Sequence, residues 1–219
     1  MLSRLPPWVE YGAFTLALVA GCINAIGLLG VEHQAISHLS GTATLLGTSL
    51  SQVSMAHSAQ LLAVLISFLL GAVVSGLLLR DSALKLGRHY ETLLLLEAVL
   101  LTVALLLLEN NSVYGQYFAS AACGMQNALV TTYSGAVIRT THLTGLFTDL
   151  GLLIGGWLRG ESFDKRKLIL FLLIIVGFIG GGSLGAWLFS WLHFVALSVP
   201  AVICAVLALL YHRYRVRLT

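Results

Sequence analysis

The chain has 219 residues, 58% of them hydrophobic and only 10% charged, with a formal net charge of +3 and a mean hydropathy of +0.93. Soluble domains carry about 25% charged residues, so this composition excludes a water-soluble globule, a disordered chain, a coiled coil and a disulfide scaffold. Long continuous apolar runs such as Leu93–Leu96 and Leu168–Phe178 also exclude a β-barrel, whose strands alternate in polarity. An all-α polytopic membrane protein remains.

The first ten residues, MLSRLPPWVE, lack the apolar core of a cleavable signal peptide, and none is expected. Six stretches are long enough to cross a hydrocarbon core, which takes about 20 helical residues. They fall near 9–30, 58–79, 91–109, 113–136, 167–188 and 192–212. Two further segments, 37–52 and 141–157, are rich in Gly, Ser and Thr, and their helical parts after Gly41 and Gly145 are too short to span. They read as re-entrant half-helices. Trp8, Trp157, Trp187, Trp191 and Tyr211 lie near span ends, as an aromatic belt would.

Six crossings and two re-entrant segments put all twelve basic residues on one side, Arg139 included, and leave loops 31–36, 109–113 and 189–191 without Lys or Arg. The positive-inside rule then places both termini in the cytoplasm. Cys22, Cys123 and Cys204 sit in apolar runs, no two at CxxC spacing, so neither a disulfide nor a metal site is expected.

The chain repeats itself. Tyr11-Gly12, Gly21, Asn24 and Ala25 match Tyr114-Gly115, Gly124, Asn127 and Ala128, each 103 positions later. After one residue of slippage, Ser37-His38-Leu39-Ser40-Gly41 matches Thr141-His142-Leu143-Thr144-Gly145, and Thr44 and Gly47 match Thr148 and Gly151. FLLGAVVSG from Phe68 parallels FIGGGSLGA from Phe178 more weakly. The units are 1–109 and 110–219, each a span, a half-helix and two spans. Three crossings per unit invert the second copy relative to the first, a plan in which transporters place their sites near the midplane between repeats.

GCINA followed by HLSGT, and GMQNA followed by THLTG, resemble the YoaK-like family of bacterial inner-membrane proteins of unknown function. The resemblance implies a multi-pass protein of the bacterial inner membrane and brings no reaction with it. The chain departs from the family's pattern at Asn24, where an aspartate is usual, and at Ser40-Gly41-Thr42, where Thr-Gly-Asn is typical.

Polar groups inside a membrane are costly and should face protein or water. Asn24 and Asn127 recur in both copies, and an amide offers both donors and an acceptor to a polar solute, or packs one helix against another. His38 and His142 open the half-helices, with Ser37, Ser40, Thr141 and Thr144 as candidate caps. A half-helix starting inside the membrane aims a partial positive charge and unpaired N–H groups at whatever precedes it. Two such helices would form a site for an anion, a carboxylate or a dipolar neutral molecule. Aquaporins are similar in plan only. The small residues Gly41, Thr44, Gly47, Gly145, Thr148 and Gly151 read as packing faces, as do Gly71 with Ser75, and Gly177, Gly181 and Gly185.

Glu97, deep in its span, and Asp149, inside the second half-helix, break the symmetry and are candidate coupling acids. Gln126, Thr131, Thr132 and Tyr133 could line the same cavity. The leading expectation is a small secondary transporter or channel for a small polar or anionic solute. Its site would be Asn24, Asn127, His38, His142, Ser40, Gly41, Thr144 and Gly145. The alternatives are a membrane-embedded enzyme, for which no HExxH, nucleophile elbow or carboxylate pair is present, and a non-catalytic assembly protein. No cofactor and no nucleic acid partner are expected. The lipid bilayer and a small solute are, and the short chain makes a homodimer plausible.

Overall fold

A computed structural model describes residues 8–30, 36–52, 54–79, 89–134 and 139–216. Residues 31–35 of the expected outer loop 31–36, the basic loop with Arg80, Lys85 and Arg88, and Arg4 and Arg217 lie outside the described residues. The chain forms eight α-helices among the described residues. These are α1 (Trp8–Gly30), α2 (Leu39–Ser51), α3 (Met55–Leu78), α4 (His89–Glu109), α5 (Tyr114–Tyr133), α6 (Leu143–Leu158), α7 (Lys165–Leu192) and α8 (Ser198–Val216).

Three boundaries have a clear local cause. Asn111, at φ 56°, turns the chain between α4 and α5 in the left-handed region that asparagine tolerates. Asp164 caps α7 by accepting the Lys167 N–H at 3.0 Å. The apolar stretch Lys165–Val216 cannot run as one helix, because the Pro200 ring would clash with the carbonyl four residues back. It breaks at a 3₁₀ turn, His193–Leu197, so α7 runs past the expected end at 188.

Glu10–Gly30, Met55–Leu78, His89–Glu109 and Lys165–Val216 are long and apolar enough to cross a membrane, the last of them folded as α7 and α8. The protein is therefore a helical membrane protein. Helix α5 is more polar in composition, and most of its surface is buried between α3 and α4. The 13 residues of α2 and 16 of α6 reach roughly 20 and 24 Å at 1.5 Å per residue, short of a core of about 30 Å.

Two close helix pairs organise the bundle, α1 with α7 and α3 with α5. Gly177, Gly181 and Gly185 of α7 lie against the backbone of Phe14, Leu18 and Cys22, stepping in the same direction, so α1 and α7 run parallel. Along α3 and α5 the steps are Ser120 Oγ donating to the Val64 carbonyl at 3.0 Å and Gly124 against Phe68, so these two are also parallel. Helices α4 and α8 are antiparallel: Glu91, at the start of α4, accepts from Arg215 at 2.8 Å near the end of α8. At that same end of the bundle Arg166 pairs with Glu10 at 3.0 Å, joining the starts of α1 and α7.

The expected packing faces on the half-helices are absent. A side chain added at Gly47 or Gly151 would meet nothing within 4 Å, and Thr44 and Thr148 are exposed, their hydroxyls donating back to the carbonyls of Ser40 and Thr144 at 2.9 Å. Helix α2 does lean on its neighbour through a polar contact, Ser49 to Ser58 at 2.9 Å on α3.

Candidate functional site

A cavity of about 570 Å³ lies where α2 and α6 begin, lined by paired residues from the two halves. Asn24 and Asn127, Ser37 and Thr141, His38 and His142, Leu39 and Leu143, Ser40 and Thr144, and Phe68 and Phe178 all reach it. The motif Gly-x-x-Asn explains how. Gly21 lets the backbone of Phe178 against α1, and Gly124 does the same for Phe68 against α5. One turn later on each helix the asparagine faces the space beside that phenylalanine. Each motif thus joins a helix crossing to a polar group.

Six of the eight expected binding residues line the cavity. Gly41 and Gly145 do not, but each supports a residue that does: an added Cβ there would strike the imidazole of His38 or His142, which folds over the first turn of its own helix. The caps differ from expectation. The capping positions are the histidines themselves, and neither makes a side-chain cap bond. Ser40 and Thr144 lie inside the first turn, too late to cap, and Ser37 instead donates both its N–H and its hydroxyl to Asn24 Oδ1, each at 3.0 Å. First-turn N–H groups have no acceptor within their own helix, so Leu39, Ser40, Leu143 and Thr144 bring those donors to the cavity wall.

The halves are not equal. Asn127 Oδ1, the counterpart of the doubly bonded Asn24 Oδ1, is buried with no hydrogen-bond partner. The second half ties its loop down one residue earlier on each side. Thr140 Oγ1 donates to Gln126 Oε1 at 3.1 Å, and Gln126 Nε2 donates to Glu97 Oε1 at 2.9 Å, all three side chains being buried. The counterparts of Gln126 and Thr140 are Ile23 and Ile36, both buried in an apolar cluster.

The candidate coupling acids lie elsewhere. Glu97 is part of this buried chain, behind Gln126, and Asp149 is half-buried on α6 outside the cavity lining. Gln126, Thr131 and Thr132 do not line the cavity; Gln126 is engaged with Glu97, and Thr131 bonds back to the Asn127 carbonyl at 2.6 Å. The Tyr133 side chain is outside the described residues. Sequence reasoning missed Phe68, Phe178 and Arg139. The two phenylalanines open the weaker repeat match, which was the available signal. Arg139, expected at the membrane face with the other basic residues, lines the cavity because Thr140 beside it is held inside by Gln126.

Residues 12–210 match the family described as "Protein of unknown function (DUF1275)", so the chain belongs to that family. No curated protein and no solved structure matches it.

Proposed function

We propose that the protein is a small secondary transporter or channel of the bacterial inner membrane, built of two inverted repeats, that passes a small polar or anionic solute through the cavity between them. The carrying observation is the cavity itself, because twelve of its thirteen lining residues are counterparts from the two halves. A volume of about 570 Å³ is in the range of small-ligand pockets, roughly 300–1,000 Å³. Transporters of inverted-repeat plan bind at such a meeting point, with broken-helix N-termini aimed at the solute. The parallel running of α1 with α7 and of α3 with α5 fits that plan, as does the resemblance of the paired motifs to YoaK-like proteins.

Asn24, Asn127, His38, His142, Ser40 and Thr144 are the solute-contacting residues, and Gly41 and Gly145 hold the two imidazoles in place. Glu97 is a less suitable coupling acid than its depth suggested, since its carboxylate is engaged by Gln126. Both termini are cytoplasmic in this reading, and a homodimer remains compatible with it.

A screen of sugars, amino acids, carboxylates and inorganic anions for thermal stabilisation identifies the solute, because a ligand that binds the native state raises its stability by mass action. Uptake of that solute into proteoliposomes is then lost in Asn24→Ala plus Asn127→Ala while the helical circular dichroism persists. Full uptake by the double variant would refute the site.

A further inference from the structure

The cavity wall is rich in donors and, among the described residues, carries no aspartate or glutamate. Among the described residues, Arg139 is the one basic residue lining it besides the two histidines, and no carboxylate pairs with it. Arg159, Arg166 and Arg215 differ: each has a carboxylate oxygen within 3.0 Å. The N-termini of α2 and α6 each add a partial charge of about +0.5 at the same place. Together with the guanidinium, which is exposed at the cavity wall, this amounts to roughly two positive charges facing one space.

Arg139 is exposed in the loop before α6 and faces the cavity, so water or an anion there can offset its charge, which is otherwise costly in a membrane protein. A neutral solute could be held by two equal halves. These halves are unequal at this residue, since the sequence counterpart of Arg139 is Ala35. The buried chain from Glu97 through Gln126 to Thr140 fixes the backbone next to Arg139, so the guanidinium is delivered to the cavity from a tethered position.

We infer that the cavity selects a small water-soluble anion and that Arg139 sets this charge preference. The inference rests on the reading of the cavity as a solute site, and its test separates the two. A single reporter cysteine is introduced as Ser40→Cys or, separately, Thr144→Cys, in nanodiscs of zwitterionic lipid that keep headgroup charge out of the measurement. Cys22, Cys123 and Cys204 are buried, and the parent chain gives the background. The anionic sulfonatoethyl and the cationic trimethylammonioethyl methanethiosulfonates are compared, each rate divided by its rate with a free thiol.

The anionic reagent should be favoured about tenfold or more, as expected for a nearby uncompensated cation. Arg139→Gln should remove most of that preference, and Arg139→Lys should retain it. A ratio near one, a ratio favouring the cationic reagent, or a ratio indifferent to Arg139→Gln overturns the anion inference while leaving an open solute cavity. Failure of both reagents to react at both reporters overturns the solute site itself.

Discussion

Gln126 uses both ends of its amide, accepting from Thr140 and donating to Glu97 in a region where no side chain involved is more than 1% exposed. A buried polar group left without a partner costs about 1–3 kcal/mol. Gln126→Leu leaves Thr140 without its acceptor and removes one of the two side-chain partners of Glu97, the other being Cys204, and should therefore lower unfolding stability by about 1–3 kcal/mol, read from thermal or denaturant melts in detergent. The combination Glu97→Leu, Gln126→Ile and Thr140→Ile should recover most of the loss, because the first half packs Ile23 and Ile36 at the corresponding positions. A Gln126→Leu melt matching the parent would show that the chain does not hold the fold. Sequence reading found Glu97 and Gln126 but neither Thr140 nor the contacts among the three. Glu97 and Gln126 are 29 positions apart, and only the register of the α4–α5 hairpin brings them together. Arg139 was equally hidden, since counting charges in a loop gives its sign and not its depth.

At the scale of helices, lipid offers no hydrophobic drive for association, so close backbone contact carries much of the packing. An added Cβ at Gly71 would strike the Ala121 carbonyl, and one at Gly181 the Leu18 carbonyl, counterpart contacts in the two parallel pairs. At neighbouring Gly180 it would meet nothing within 4 Å. Gly181→Ala should cost about 1–3 kcal/mol through overpacking against an unyielding backbone. Gly180→Ala should be neutral or stabilising by up to about 1 kcal/mol, since alanine loses less backbone entropy in a helix. Equal melting of the two variants would contradict the packing of α1 on α7. The packing role of Gly71, Gly177, Gly181 and Gly185 was legible because glycine at helical spacing in an apolar run has few other uses. The same pattern misled on α2 and α6, where Gly47 and Gly151 face open space. Spacing identifies a face of small residues but does not say whether a neighbour covers it. The positions of the half-helices were legible from length and Gly/Ser/Thr content, whereas the break at His193–Leu197 depends on Pro200 meeting a continuous apolar run.

The directions of whole helices constrain how the chain threads the bilayer. Three helices separate α4 from α8. Had all three crossed, α4 and α8 would run the same way, yet Glu91 at the start of one meets Arg215 near the end of the other. An odd number of the three then returns without crossing, and in the proposed topology it is α6 alone, the shortest at 16 residues. Five helices separate α1 from α7, which run parallel; with α6 removed from the count, a second must also fail to cross, and α2, at 13 residues, is the shortest of them. Parity thus supports the proposed six-crossing topology independently of hydropathy and basic residues. The proposed topology predicts that the turn at Ser54 and the segment from Gly160 to Asp164 lie on opposite faces of the membrane. In right-side-out vesicles, a cysteine at Ser54 should be blocked by an impermeant maleimide, and one at Ser162 only after the membrane is opened. Labelling of both positions from one side would break the parity argument. The two entry routes to the cavity would then have to be redrawn, because half-helices entering from one face cannot point their N-termini at each other from opposite sides.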